Sequence, residues 1–458
     1  MAGKRLSPSD AMFLVGESRE VMMHVAGLLP FSPPPGAPPD HLRQLMDELR
    51  DAPVHRPWNL RLKSPDSLKS PLQSWVEGEV DREYHVRRSA LPTPGDEREL
   101  GILVSRLHGY PVDFHRPPWE VHLIEGLEGG RFAMYVKVHH ALVDGFTAMR
   151  VLANALSSDP DERDRPLFFS LPPRARTPKD EPEGIHLQEF LNVLRDQYGA
   201  SKTVARAVMN VVRSSRAKDH ELVSPRQAPK CILNARISRA RRFATQRIAM
   251  ARIKAVALAA GGTVNDTILA LCAGSLRRYL LELEALPSAP LVAMCPVSVR
   301  AKDDEGGGNS IGAILASLAT DLEDPGERLR AIIASTTNAK RQLQGMTKAA
   351  ILQYSALICA PAMMGMIPTT AGHVKPAFNV VISNVPGPEE PRYFRGARLE
   401  VAYPMSIPVH GQALNITCNS YAGQVGFGFT GCRDTVPHLQ RLAVYCGEAM
   451  TDLERAVA

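Results

Sequence analysis

Val138-His139-His140-Ala141-Leu142-Val143-Asp144-Gly145 is the stretch on which the reading of this chain turns. Immediately before it, Phe132, Met134, Val136 and Val138 alternate with Ala133, Tyr135 and Lys137, a period of two that predicts a strand. Beyond Gly145, Met149, Leu152, Ala153 and Leu156 recur at helical spacing, which predicts an amphipathic helix. The histidines therefore sit on a strand-to-helix turn, where a sheet can hold a side chain rigidly at its end.

The residue types suit proton transfer. An imidazole titrates near neutrality and can take a proton from an attacking hydroxyl. Gly145 allows the backbone to approach closely, and a carboxylate four residues beyond the second histidine can hold the ring or the turn. A buried histidine is often only a hydrogen-bonded core residue, and His-x-x-x-Asp can supply two ligands of a metal site. A complete metal site needs further ligands, and no second His/Cys/Asp cluster at ligand spacing appears in the sequence. The pattern His-His-x-x-x-Asp-Gly resembles the signature of acyltransferases that use coenzyme A or carrier-protein thioesters. That resemblance makes His140 the general base and gives His139, Asp144 and Gly145 supporting roles, with Asp144 facing an arginine. A thioester is already activated, so neither metal nor cofactor is expected, and acyl-CoA enters as a substrate.

At 458 residues the chain exceeds one typical core, so two domains are expected. A hydrophobic content of 44% with 22% charged residues is ordinary for a globular protein. The sequence lacks an uninterrupted apolar run of about 18 residues, so a spanning helix is not expected. Met1 to Asp10 has no apolar core of a signal peptide, and seven scattered cysteines without C-x-x-C spacing predict free thiols in a reducing compartment. A cytoplasmic location is the expectation. The net charge of +6 is concentrated between Lys202 and Lys254, with Arg239, Arg241 and Arg242 as a cluster. Such a strip is either a solvated face or a partner for phosphates or an anionic membrane surface. No nucleic-acid motif accompanies it.

Composition divides the chain into a first domain, 1–158, carrying the histidine turn, a crossover linker with a helix, 159–230, and a second domain, 231–458. Asp159 to Pro182 is rich in proline and charge, His186 to Arg213 has helical spacing, and Ser214 to Pro229 is polar. In the second domain we expect a helix from Val264 to about Leu283, strands at Leu291–Val297 and Val380–Ser383, and alternating strands from Ala413 to Thr430. The strands at 291–297 and 378–383 are almost continuously apolar, as suits strands covered on both faces. Strands mixed with helices in both halves predict an α/β architecture.

Motifs spanning nearly the whole chain carry a narrower resemblance. Leu6-Ser-Pro-Ser-Asp10, Met23-His-Val25, His85-Val-Arg87, Leu91-Pro-Thr-Pro-Gly95 and Pro111-Val-Asp-Phe-His-Arg-Pro-Pro-Trp-Glu120 are similar to the first half of bacterial wax ester synthase/diacylglycerol acyltransferases. Arg241-Arg-Phe-Ala244, Thr263-Val-Asn-Asp266, Pro296-Val-Ser-Val-Arg300 and Ser383-Asn-Val-Pro-Gly-Pro388 continue it in order. Pro117-Pro118-Trp119 and Asn234-Ala-Arg236 depart from the usual Pro-Leu-Trp and Asn-Gly-Pro, both outside the histidine turn. The resemblance implies two chloramphenicol-acetyltransferase-like domains, each a mixed sheet covered by helices, with the active-site tunnel between them. It implies acyl-CoA as donor, long-chain fatty alcohol or diacylglycerol as acceptor, and a protein peripherally bound to the inner membrane face or to lipid droplets.

Other residues have two readings each. Asn265 and Asp266 open a helix, where they can cap its amides, or lie close to the active site as the family implies. Arg300 follows an apolar strand and needs a partner, for which the superfamily offers Asp144. Ser383 and Asn384 end a buried strand, where they close a turn, line the tunnel or stabilise an oxyanion. Trp119 is expected to buttress the histidine strand. Ala349–Pro368 is core helix, interfacial segment or channel wall, and Ala360 and Met405 are candidates for the tunnel's measuring end. Two rival functions share the histidine turn: a condensation-type acyltransferase using carrier-protein thioesters, and a non-catalytic lipid-droplet protein.

Overall fold

The computed structural model describes residues 4–70, 73–143, 145–172, 223, 227–298, 311–344, 346–347, 350–351, 353–355 and 375–458. Its strands are β1 (Lys4–Arg5), β2 (His24–Ser32), β3 (Leu60–Leu62), β4 (Ser74–Glu77), β5 (Val86–Ala90), β6 (Trp119–Glu125), β7 (Phe132–His139) and β8 (Arg241–Ala249). They continue as β9 (Val292–Ser298), β10 (Ile311–Ser317), β11 (Val380–Pro386), β12 (Tyr393–Phe394), β13 (Ala397–Leu399), β14 (Tyr403–Met405), β15 (Leu414–Tyr421) and β16 (Gln424–Cys432). The helices are α1 (Pro8–Gly16), α2 (His41–Asp51), α3 (Arg82–His85), α4 (Glu97–His108), α5 (Gly145–Asn154), α6 (Met250–Ala259), α7 (Val264–Glu282), α8 (Pro325–Leu343) and α9 (Gln440–Val457).

Two mixed sheets carry the structure. One runs β12-β13-β2-β7-β6-β5, with β14 also paired to β2, and the other runs β10-β9-β11-β15-β16-β8. A three-stranded sheet, β1-β4-β3, stands apart. Sequence position does not assign the strands to sheets, because β12, β13 and β14 come from the C-terminal half and complete the N-terminal sheet on β2. The crossing depends on two glycines of β16. A Cβ on Gly428 would stand 2.0 Å from the Pro404 carbonyl oxygen, and one on Gly426 would stand 2.6 Å from that of Ala402. Only a strand bare at both positions lets the 401–405 segment pass so close on its way to the other sheet.

The alternation before the histidines has an unexpected outcome. Every residue of β7 is buried, so both faces of the strand are covered. Phe132, Met134, Val136 and Val138 join the core that includes α5, while Ala133 and Tyr135 pack with α4 and Phe243 of β8. Lys137 is on this second face, wholly buried, with its ammonium 3.2 Å from the Glu120 carboxylate and bonded to the carbonyls of Leu107 and Tyr110. The charge that makes the strand look half-solvated is thus neutralised by a partner on the neighbouring β6.

The largest core surrounds α7, which is buried along nearly its whole length between the second sheet, α8 and α9. The stretch 159–182, read as linker, begins inside the first core: Leu167, Phe168 and Phe169 are buried against Trp58 and Trp119. The helix expected at 186–213 lies outside the described residues. So does most of the 349–368 segment, of which Ala350 and Tyr354 are described and buried.

Candidate active site

At the end of β7 the two histidines part company. His139, opposite His24 in the register, is completely buried. Its Nδ1 accepts the Ala141 amide at 3.1 Å, so the ring carries its proton on Nε2, which lies 3.3 Å from Glu17 Oε2. The same Glu17 oxygen accepts the Met23 amide at 2.6 Å. Met23 in turn accepts the His140 backbone N–H at 2.9 Å. Glu17, just past the end of α1, thereby ties both histidines to one brace.

His140 turns the other way, onto a cavity of about 490 Å³, a size suited to a ligand site. Its ring stacks on Phe13 of α1, with centroids 3.9 Å apart and planes inclined by 20°. Gly145, Ala148, Met149 and Leu152 of α5 form one wall, and Val25 and Gly27 of β2 lie along the floor. Ser383 and Asn384 of β11, Met405 of β14, and Asn415 and Thr417 of β15 line it from the second half of the chain. The cavity is apolar over most of its surface, with polar groups confined to these few positions and Ser406. The side-chain oxygen of Asn384 is buried without a hydrogen-bond partner among the described residues.

Of the residues singled out in the sequence, His140, Gly145, Ser383, Asn384 and Met405 share this cavity. Asp144, Arg300 and Ala360 lie outside the described residues, and with them the expected Asp144–Arg300 pair. Asp266 closes a capping box at the start of α7: Oδ2 accepts the Thr263 amide at 2.8 Å and its hydroxyl at 2.7 Å, while Oδ1 accepts from Thr336. Of the two readings of Asn265 and Asp266, capping is the one this geometry displays for Asp266, and neither residue is in the wall of the cavity. Trp119 is fully buried, stacks on His85 and Phe169, and donates its indole N–H to the Trp58 carbonyl, while Trp58 itself reaches the cavity. The arginine cluster is not a uniform basic face. Arg241 is buried and spent on the carbonyls of Ser238 and Glu20, and Arg239 lies over the Tyr110 ring.

Sequence reasoning missed Glu17 and Phe13, and it quoted Met23 only as part of a family motif. Each is remote in sequence from the turn it supports, and nothing in the local pattern marks them. It quoted His24 and His85 only inside family motifs and missed His108, and with it the links that these buried rings make behind the turn. His24 donates Nε2–H to the His108 carbonyl, and His108 donates to the Ser406 carbonyl and accepts from Tyr135 through Nδ1. Burial, reinforced by Arg241 and Lys137, pushes His108 down to about 3, and burial likewise holds His24 well below the usual histidine range. Burial also takes His85 down to about 4. These rings stay neutral and serve as hydrogen-bonding links. Among the described residues, no three His, Cys, Asp or Glu side chains converge to hold a metal ion. The six described cysteines are free thiols.

A histidine just past the end of a strand, opening on an apolar cavity between two mixed sheets, is an arrangement suited to acyl transfer onto a hydroxyl. Residues 6–268 match the wax ester synthase/diacylglycerol acyltransferase catalytic domain, and residues 307–454 match the C-terminal domain of the same enzymes. The chain belongs to this family. It is 50% identical to a putative diacylglycerol O-acyltransferase of Mycobacterium tuberculosis H37Rv, over 99% of this chain and 97% of that protein. The solved wax ester synthase/diacylglycerol acyltransferase from Marinobacter aquaeolei VT8 is 41% identical, covers 99% of both chains and superposes with a TM-score of 0.78. A likeness to the first condensation domain of the calcium-dependent antibiotic synthetase extends over 100% of this chain and 96% of that one. At 15% identity and a TM-score of 0.58 it is one of fold alone.

Proposed function

We propose that the protein moves a long-chain acyl group from acyl-CoA to the hydroxyl of a fatty alcohol, giving a wax ester, or of diacylglycerol, giving triacylglycerol. The observation that carries this reading is His140, braced through its backbone and stacked on Phe13, at the wall of a largely apolar cavity. A neutral ring nitrogen of His140 takes the hydroxyl proton as the oxygen attacks the thioester carbonyl. The tetrahedral intermediate then collapses, the carbon–sulfur bond breaks, and the imidazolium gives its proton to the departing sulfur, which releases coenzyme A as the thiol and leaves His140 neutral. Both substrates are present together and no acyl-enzyme forms. Ser383 and Asn384 are the polar side chains of the opposite wall suited to meet the oxyanion, whereas Thr417 spends its hydroxyl proton on Asn415 Oδ1. The thioester brings its own activation, so the step calls on no metal or cofactor.

Acceptor and product are too apolar to travel through water. We therefore place the protein in the cytoplasm, held peripherally at the inner membrane face or on lipid droplets. The test is release of coenzyme A from palmitoyl-CoA with hexadecanol, compared with His140→Ala. The folded variant is expected to lose two to four orders of magnitude in kcat. Near-normal turnover of that variant would sink the mechanism. Activity only with carrier-bound thioesters would return the protein to the condensation class, and no turnover with any thioester would leave the non-catalytic rival.

A further inference from the structure

The catalytic cavity does not end at α5. A second space of about 220 Å³ shares Met149, Leu152, Val385 and Pro386 with it and continues past Leu29, Leu156, Leu399 and Ala402. Asn154, Arg392, Asn419 and Tyr421 are the polar residues of its lining, and Asn419 is bonded to the Val385 carbonyl beside the junction. Val25, Gly27 and Leu29 occupy alternate positions on one face of β2, so the two spaces follow this strand under α5. From Val25 to Leu29 the path is roughly 13 Å.

Gly27 stands where they meet. It has no left-handed backbone that would call for glycine. What sets it apart is the room above it: a Cβ there would lie 3.6 Å from Leu152 Cδ1 and 3.8 Å from Met149 Sδ. A methyl group would thus fit in ordinary contact, while any larger side chain would fill the gap between strand and helix. We propose that this gap is the throat of an alkyl-chain channel. The annex takes the distal part of one substrate chain, and the missing side chain at Gly27, with the flexible Met149 opposite, sets which lengths pass.

This inference rests on the acyl-transfer reading, and the test separates the two. Two series are run on wild type, Gly27→Ala, Gly27→Val, Met149→Ala and the Gly27→Val/Met149→Ala double variant. In one the acyl-CoA length varies against a fixed alcohol, and in the other the alcohol length varies against palmitoyl-CoA. Gly27→Ala should keep the wild-type profile. Gly27→Val should lower the sixteen-to-ten carbon ratio of kcat/KM by roughly tenfold or more, in one series and not the other. Each excluded methylene is worth about fourfold. The double variant should recover much of the lost ratio, which a merely destabilised protein would not. The series that responds identifies the chain as acyl or alcohol. Unchanged ratios in both series, or equal loss at every length with a raised KM for acyl-CoA, would overturn the channel, the latter pointing to the path of the coenzyme's polar arm. A wild type that transfers no acyl group would instead fail the functional reading itself.

Discussion

Glu17 serves two buried donors with one carboxylate, and the position of His140 depends on both. Its oxygen holds the Met23 amide, whose carbonyl holds the His140 backbone, and it faces the Nε2–H of His139. Glu17→Ala orphans two buried donors at about 1–3 kcal/mol each, so a clear loss in Tm is expected together with a fall in kcat. Glu17→Gln retains one acceptor oxygen and should fall between the two in both measurements. An alanine variant with wild-type Tm and kcat would show that the brace does not matter. At this scale the histidine pair was legible because its chemistry is written in adjacent residues. Glu17 was not, since its relation to His139 exists only once α1 has packed beside the end of β7.

Elements were legible where a period or a cap declares them. β9, β11, the β15–β16 hairpin and α7 lie close to where apolar runs and alternation place them, because each buries a regular face. The short strands β12, β13 and β14 were not, since two or three residues carry no period, and β2, on which β13 and β14 pair, is more than 360 residues away along the chain. β7 was legible as a strand from its alternation, while the burial of Lys137 against Glu120 was not written in it. Asp266 tests how far a cap matters to α7. It accepts from Thr263 at the helix start and from Thr336 of α8, and it is almost fully buried. Asp266→Ala leaves these donors unmet and should lower stability by about 1–3 kcal/mol, read as a drop in denaturation midpoint. The folded fraction is expected to keep its kcat. A fall in kcat with an unchanged midpoint would restore Asp266 to the catalytic machinery.

For the molecule as a whole, the neutral histidines couple stability to pH. In the unfolded chain His24, His85 and His108 titrate near 6.5, whereas in the fold all three are held lower, His85 at about 4 and His108 at about 3. Between those values the unfolded state binds more protons, so stability is full above pH 6.5 and declines as pH falls below it. At pH 5 unfolding should take up about two protons at His85 and His108, with His24 adding in the same direction. Glu120 adds to the trend further down: burial raises it, but His122, Lys137 and Arg87 outweigh burial and hold it at about 2. Its contribution is complete above the usual carboxylate range and is lost as pH drops toward 2. Calorimetry in buffers of different ionisation enthalpy measures the proton uptake. A Tm that stays flat from pH 7 to pH 5 would contradict it.

The same scale bears on the proposed peripheral contact with lipid. Among the described residues no single helix is long and apolar enough to cross a membrane, and the bent pair α6–α7 that would suffice by length is occupied in the core. The surface offers a different means. Met12 and Val15 of α1 are 56% and 54% exposed, on the helix whose Phe13 stacks on His140. The chain carries a net charge of +6. Each basic residue near an anionic bilayer adds about 1 kcal/mol, an attraction that salt screens over a Debye length of roughly 8–10 Å. Part of the protein should therefore sediment with phosphatidylglycerol vesicles at low salt and be released as salt rises. The fraction that remains should depend on apolar contact, and Met12→Ser/Val15→Ser should reduce it while leaving salt sensitivity in place. Protein released only by detergent, whatever the salt, would mean insertion. Protein that never sediments would leave its apolar substrates to be delivered by another route.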